Sequence, residues 1–297
     1  MVFGVQTPGT GQMGYACILG ALGEMPALCV YRGAEGFDAY RRIQKGEFHH
    51  RPEEAVGAQN CLMAERALAI SRDCADAYNL LAEEEAGSAE DALDLYRKAI
   101  EAGERALGPR FFKDNAGHFW GILETRPYMR ARAALARCLW ELKSHDEALG
   151  HYHEMLRLNP GDNQGIRYIV LSCLGELGRF DEMGKFMGGP RYKDDCAAEW
   201  LYTKALLAFV REGASAEASA ALRSALKQNK HALDYLTGKK SIPRRLPDRI
   251  TMGGEDEGYC YASSFLAAWK RVPGALEWLA TAGKKFKKPR GAKETVQ

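Results

Sequence analysis

The sequence lacks the short motifs that mark the common catalytic and metal-binding proteins. It contains no GxxxxGK[ST] phosphate loop, no HExxH and no GxSxG, and its eight cysteines are spread singly, without a CxxC pair. The usual signatures of nucleotide hydrolases, zinc proteases and serine hydrolases are therefore missing. We predict a protein that is not an enzyme and that needs no cofactor and no metal.

A strong charge imbalance and long apolar runs are lacking too. The net charge is only +2 over 297 residues, and no segment reaches the roughly 18 apolar residues that a membrane span needs. The first basic residue is Arg32, so the chain does not begin like a signal peptide. Hydrophobic residues make up 46% and charged residues 27%, as in ordinary globular proteins. We predict a cytoplasmic protein with reduced core thiols and no membrane contact.

An internal repeat is present in the helical part of the chain, which starts near Val56. The segment Leu142–Ala148 recurs as Leu177–Met183, 35 residues later, close to the roughly 34-residue period of the tetratricopeptide repeat (TPR). Similar units at 77–99 and 198–229 bring the number of predicted repeats to four. The fold prediction is mainly α: a TPR-type α-solenoid of antiparallel helix pairs, with a small N-terminal antiparallel β module.

That β module is predicted from short β-type runs that alternate with glycine-rich turns. The domain boundaries are residues 1–45 for the glycine-rich module with a short helix, 46–55 for a linker, 56–282 for the helical repeats with C-terminal capping helices, and 283–297 for a basic, disordered tail. A small sheet of this kind leaves an unpaired edge. We therefore expect it to pair with a second subunit in a homo-oligomer.

Two longer runs carry a resemblance to known proteins. Residues 117–132 (GHFWGILETRPYMRAR) and 156–168 (LRLNPGDNQGIRY) resemble bacterial TPR proteins of unassigned biochemical function. The first 45 residues separately resemble a small domain of unknown function. A faint likeness to the suppressor of tumorigenicity 7 family is also visible. The resemblance implies the helical-repeat fold and supplies neither a reaction nor a ligand.

The leading functional hypothesis is a non-enzymatic scaffold that binds a peptide or helix of a partner protein in the concave groove. The first helix of each repeat lines this groove, and arginines there can grip a carboxylate or phosphate bidentately. The candidate partner-binding residues are Arg126, Arg130, Arg137, Trp140, Asn163, Gln164, Arg167, Tyr168 and Trp200. Several have plainer roles open to them: Asn163 as a helix cap, Arg126 as a partner of Glu124 or of carbonyl groups, and the tryptophans as core residues.

Two alternative functions remain open from the sequence. The basic tail predicts contact with nucleic acid or the ribosome, through Lys284, Lys285, Lys287, Lys288 and Arg290. The segment Gly9–Gly14 spells GxGxxG, which in a strand-turn-helix context would bind a nucleotide. Pro8 and the glycine-broken run that follows suit a hairpin better than a helix, so a nucleotide-binding enzyme is the third hypothesis.

Overall fold

A computed structural model describes residues 53–247 and 249–287 of the chain. They fall into two compact units, called here the first unit (up to Ile166) and the second unit (from Arg167). In both units these residues form α-helices, short 3-10 turns and loops, and no β strand occurs among them. None of the described helices is long and apolar enough to cross a membrane.

The predicted combination of a helical solenoid with an antiparallel β module was wrong, because the architecture of the described chain is entirely helical. The module itself was placed at residues 1–45, which lie outside the described residues. The prediction was based on short apolar runs broken by glycines. Such runs do not distinguish a strand from a helical segment by periodicity alone, so the signal was too local to establish a sheet.

The first unit is a series of helices in which each packs against the next. They are α1 (Glu53–Ile70), α2 (Ala75–Glu84), α3 (Ala89–Asn115), α4 (Arg126–Glu141) and α5 (His145–Leu158). Helix α2 also contacts α4, so α2/α3 and α4/α5 form two neighbouring antiparallel pairs. Ala64, Ala67 and Ala77 are fully buried between α1 and α2, and such small residues let helix axes approach closely.

Helix α3 extends beyond residue 99, where the first predicted repeat unit ended. It starts after Ser88, whose hydroxyl accepts the Asp91 N–H at 3.1 Å, as an N-cap does. It bends at Gly108, where φ is +75°, just before Pro109. Beyond the bend, the Phe112 ring lies 5.0 Å from the rings of both Phe119 and Tyr128. This aromatic cluster joins the end of α3 to the start of α4.

The repeated segment forms the same turn in both places. Lys143 (φ +65°) and Gly178 (φ +72°) occupy equivalent positions, each just after a helix. The next N–H bonds back across the turn in each case, from Ser144 to Leu139 O and from Arg179 to Leu174 O, both at 2.9 Å. This six-to-one bond closes a helix with a left-handed residue, so the sequence repeat corresponds to a structural repeat of the turn.

The described residues of the second unit form helices. They are α6 (Ile166–Leu177), α7 (Phe180–Met187), α8 (Ala198–Glu212), α9 (Ala216–Gln228), α10 (Ala232–Leu236), α11 (Glu255–Arg271) and α12 (Ala275–Lys287). Among them, α8 packs closely against α9, and α10 against α11. Helices α10, α11 and α12 lie where the sequence predicted capping helices. Helix α6 begins at Ile166, where the first unit ends.

Helix α11 contacts both α6 and α8. Ser172 Oγ of α6 donates to the Ser264 carbonyl of α11 at 2.8 Å. A Cβ added to Gly175 would lie 2.7 Å from the Cβ of Ala268, so the two helices touch at these small residues. On the other side, the rings of Tyr202 and Tyr261 lie 5.3 Å apart. The face shared by α6 and α8 is therefore covered by a helix of the same chain.

Candidate partner-binding site

Two carboxylates and two arginines face each other across α2 and α4. Asp76 and Glu83 are seven residues apart on α2, and Arg130 and Arg137 are seven residues apart on α4. Residues seven apart lie two turns from each other on the same side of a helix. The four side chains therefore form two tiers on what is called here the α2/α4 face. Asp76 and Arg130 form the lower tier, and Glu83 and Arg137 form the upper tier.

The lower tier is a tight ion pair. Arg130 donates from Nη2 to Asp76 Oδ2 at 2.5 Å and from Nε to Oδ1 at 3.2 Å. Asp76 is 1% exposed and Arg130 25%. Asn79 donates to the same carboxylate at 3.3 Å and to the Pro127 carbonyl at 3.2 Å. A buried carboxylate needs such bonds to offset its lost hydration, so this tier joins the two helices.

The upper tier is open to solvent. The side chains of Glu83 and Arg137 are both exposed. Partial desolvation raises the pKa of Glu83, and the charge of Arg137 opposes that rise. Burial raises the pKa of Tyr96, and the nearby Arg137 guanidinium opposes that rise as well. Arg137 therefore lies near Glu83 and Tyr96 with its side chain exposed.

An open pocket adjoins the lower tier. It encloses about 340 Å³, counting space open to solvent, where α2 and α4 begin. Asp73, Asp76, Glu124 and Tyr128 are among its lining residues. Asp73 is itself paired with Arg105 at 2.8 Å. In the described parts of the chain, no three histidine, cysteine, aspartate or glutamate side chains are grouped to hold a metal ion.

The other predicted residues at the ends of α4 have local contacts. Arg126 donates to the Trp120 carbonyl at 3.2 Å, and its guanidinium carbon lies 5.5 Å from the Trp120 ring centre. Trp140, half-buried, lies with its ring centre 4.4 Å from that of His145. Arg126 therefore stabilises the turn before α4, whereas Trp140 stays partly accessible one turn beyond Arg137.

Asn163 and Gln164 lie in the turn that precedes α6. Asn163 is exposed, and its Oδ1 accepts a long hydrogen bond from Asn159 at 3.5 Å. The helix-capping contact is made instead by Asp162, whose Oδ1 accepts the Ile166 N–H at 2.7 Å. The Oε1 atom of Gln164 is buried and has no hydrogen-bond partner among the described residues. The capping role open to Asn163 thus belongs to its neighbour.

Arg167 and Tyr168 belong to a half-buried cluster in the second unit. Arg167 Nε lies 2.7 Å from Asp195 Oδ2, and the Tyr168 hydroxyl donates to the same oxygen at 2.9 Å. The guanidinium also lies over the rings of Tyr168 and Tyr192, at 4.0 and 5.3 Å. Burial raises the pKa of Tyr168, so its hydroxyl stays a donor. These contacts connect α6 to the segment before α8.

Trp200 is a core residue. It is fully buried, with its ring 5.9 Å from Tyr192 and 6.3 Å from Phe186. Its indole Nε1 is buried without a hydrogen-bond partner in the described structure. Trp200 and Tyr168 are therefore each in contact with residues of the second unit itself, Trp200 with Tyr192 and Phe186 and Tyr168 with Asp195.

Part of the predicted nucleic-acid contact lies outside the described structure. Helix α12 ends at Lys287, and Lys285 is exposed on it. Lys288 and Arg290 lie beyond the described residues, as do the side chains of Lys284 and Lys287. The Gly9–Gly14 segment also lies outside them.

Comparison with known proteins identifies relatives without naming a ligand. The chain is 31% identical to the suppressor of tumorigenicity 7 protein-like of Homo sapiens over 238 residues, 73% of this chain and 41% of the relative. It is 29% identical to the Gallus gallus protein of the same name, over 80% of this chain and 45% of the relative. With the suppressor of tumorigenicity 7 protein of Mus musculus it shares 29% identity over 81% of this chain and 44% of the relative.

The chain spans less than half the length of these curated relatives. A family model described as a domain of unknown function, DUF7309, matches residues 1–67, which reach into α1. The similarity to the suppressor of tumorigenicity 7 proteins is thus confirmed at about 30% identity, together with an N-terminal domain of unknown function. The closer likeness to bacterial TPR proteins stays a prediction.

Sequence reasoning named the arginines of the site and missed the carboxylates that face them. Asp76, Glu83 and Asp195 were not singled out, although each lies beside a predicted residue. A signal for two of them was present, since the spacing of Asp76 and Glu83 on α2 equals that of Arg130 and Arg137 on α4. Asp195 lies in an irregular segment, where no periodicity marks it.

Proposed function

We propose that the chain is a non-enzymatic scaffold and that a segment of a partner protein binds on the α2/α4 face, with Arg137 and Glu83 as its contacts. The observation that carries the proposal is the contrast between the two tiers. The buried Asp76 is bonded to the largely covered Arg130, whereas Glu83 and Arg137 lie on the same helices with both side chains exposed.

Such an arrangement suits recognition of a carboxylate and a backbone or cationic group on the partner. An arginine fork binds a carboxylate bidentately, and the side chain of Arg137 is exposed for such a contact. Trp140, one turn further along α4 and half-buried, adds apolar surface at the edge of the charged pair.

A helical partner segment is favoured by a contact within the chain. In the second unit, the first helices of two predicted repeats, α6 and α8, together hold α11. Faces formed by successive first helices are the surfaces on which helical-repeat proteins bind extended or helical segments. The α2/α4 face is formed in the same way by the first helices of the two preceding predicted repeats.

A charge-swap experiment separates a binding role from a structural one. Glu83→Arg and Arg137→Glu each reverse one charge, and the double variant restores an opposite pair with its direction inverted. Partner capture from cell lysate should be lost in both single variants and in the double variant, while thermal stability recovers in the double variant. A purely structural pair would recover capture along with stability, and that result would contradict the proposal.

The chain offers a matched control on other helices. Arg97 of α3 and Glu147 of α5 are 3.6 Å apart, and each is about half exposed. Swapping this pair reverses the same charges on α3 and α5, the second helices of the pairs α2/α3 and α4/α5. Capture of the partner protein should stay unchanged. Nuclease treatment of the lysate is the second control, because a partner that is released by nuclease would assign the interaction to nucleic acid instead of to the α2/α4 face.

A further inference from the structure

The loop between α10 and α11, residues 237–254, carries an exposed cationic patch with aliphatic residues inside it. Its cations are Lys239, Lys240, Arg244, Arg245 and Arg249, and every one of them is exposed. The only acidic residue in its sequence is Asp248. Loops this long without secondary structure of their own are uncommon in compact domains and are often functional.

Two of these cations form ion pairs within the described structure. Lys240 Nζ lies 2.5 Å from Glu255, and Lys239 Nζ lies 3.5 Å from Asp234. Among the described residues, Arg244, Arg245 and Arg249 have no ion-pair partner. Three exposed guanidinium groups that have no anionic partner among the described residues give this surface a local positive charge, which favours an anionic surface.

Apolar side chains lie among these three arginines. Leu246, between Pro243 and Pro247 in sequence, is 40% exposed, and Met252 is 45% exposed. Proline on each side restricts the backbone of this tip. An exposed leucine next to two arginines presents apolar and cationic groups at one point of the surface.

One end of the loop is fixed by the first turn of α11 and the other by α10. The Thr251 N–H donates to Asp256 at 2.7 Å, and the Gly253 N–H donates to Glu257 at 2.7 Å. Near the other end, the Lys240 N–H donates to the Asp234 carbonyl at 3.0 Å. Because both ends are anchored, the arginines and Leu246 project from a fixed base.

We propose that this loop docks on an anionic phospholipid surface, with the three arginines at lipid phosphates and Leu246 inserted below the headgroups. Basic residues near such a surface are attracted by its negative potential, and apolar side chains add a contribution that salt does not screen. The loop contains no aromatic residue, so it lacks the rings on which single-stranded nucleic acid stacks its bases. It also presents neither a helix nor a β-ribbon to a DNA groove. The sequence predicted no membrane contact; the docking inferred here is on the surface of a bilayer.

The test is co-sedimentation of the full chain with vesicles of phosphatidylcholine alone or of equal parts phosphatidylcholine and phosphatidylserine. We expect binding to the mixed vesicles only, weakening as salt is raised. Replacing Arg244 and Arg245 together by glutamine should lower the affinity by roughly 25-fold, since each cation near an anionic surface contributes about a fivefold factor. Leu246→Ser should weaken binding without changing its salt dependence, because the leucine carries no charge.

Two controls make the result decisive. Lys204→Gln with Lys270→Gln removes two exposed charges from α8 and α11 and should leave vesicle binding unchanged. All of these variants keep the basic tail, so vesicle binding that survives loss of Arg244 and Arg245 would overturn the proposal. Equal binding to both vesicle types, or no binding to either, would overturn it as well. Tighter binding to single-stranded RNA than to mixed vesicles, unaffected by Leu246→Ser, would assign the loop to nucleic acid instead.

Discussion

Arg130 and Asp76, 54 positions apart in sequence, form a nearly buried ion pair that joins α4 to α2, with Nη2 and Oδ2 2.5 Å apart. Seven residues further along the same helices, Arg137 and Glu83 face each other in solvent. Arg130 and Asp76 are in direct contact, whereas Arg137 acts on Glu83 through its charge, with both side chains exposed. Exposure determines what each pair can do: the buried pair orders the helices, whereas the exposed pair is available to another molecule.

Arg130→Met should destabilise the first unit strongly. It leaves the Asp76 carboxylate buried with only Asn79 as a side-chain hydrogen-bond donor, and removing one partner of a buried pair costs about 3 to 5 kcal/mol. Arg137→Met, at the exposed pair, should change the free energy of unfolding by less than about 1 kcal/mol. Urea unfolding followed by circular dichroism measures both. Equal losses in the two variants would show that exposure does not separate the pairs.

Gly175→Ala should weaken the contact between α6 and α11. The added Cβ would lie 2.7 Å from the Cβ of Ala268, and neither atom belongs to a flexible side chain that can move away. Overpacking of this kind costs about 1 to 3 kcal/mol, more than the gain of about 1 kcal/mol in helix propensity.

Ala268→Gly in the same chain should restore most of the stability lost in Gly175→Ala. A double-mutant cycle on the melting temperature gives the coupling between the two positions. Additive effects would mean that the two helices do not touch at this point in solution.

The helices and their turns were predictable because the signals that specify them are local. The repeat of Leu142–Ala148 at Leu177–Met183 located two turns, and the structure gives both the same hydrogen bond. The candidate site was only partly predictable. Arg130 and Arg137 were found from helical spacing, but the carboxylate of Asp76 comes from another helix pair, and one sequence does not indicate which helices touch.

The covering of α6 and α8 by α11 was not predictable for the same reason. It depends on Gly175 and Ala268, two small residues 93 positions apart whose importance is visible only once the helices are packed. Arg167, Tyr168 and Trp200 therefore matched the pattern of a recognition surface in the sequence. In the structure they contact other residues of the second unit.

Cys196 should react first with alkylating reagents among the six cysteines in the described parts of the chain. It is exposed, while the other five are buried. Burial raises the pKa of Cys173 to about 12 and that of Cys260 to about 11, which lowers the fraction of reactive thiolate. A short pulse of iodoacetamide followed by peptide mass spectrometry measures the order. Modification of Cys173 ahead of Cys196 would contradict the packing, and labelling in urea should remove the difference.

Glu199 should make the second unit more stable as the pH falls below about 7. It lies half-buried in the first turn of α8. Desolvation raises its pKa from 4.5 to about 7, with smaller contributions from the charges of Glu257 and Asp195. The charge of Arg167 opposes this rise. The folded state therefore binds this proton more tightly than the unfolded state does. The resulting penalty is fully present above pH 7 and is relieved as the pH falls toward 4.5.

Glu199→Gln removes this titration, so the variant should be more stable than the parent at pH 8 by about 1 to 3 kcal/mol. The difference between the two should shrink as the pH falls toward about 5, where the parent carboxyl is protonated. Glu217→Gln is the matched control, since Glu217 is an exposed residue in the first turn of α9, and it should change the stability only slightly. A Glu199→Gln difference that is constant over this range would show that Glu199 is hydrated in solution and that α8 begins in a more open environment.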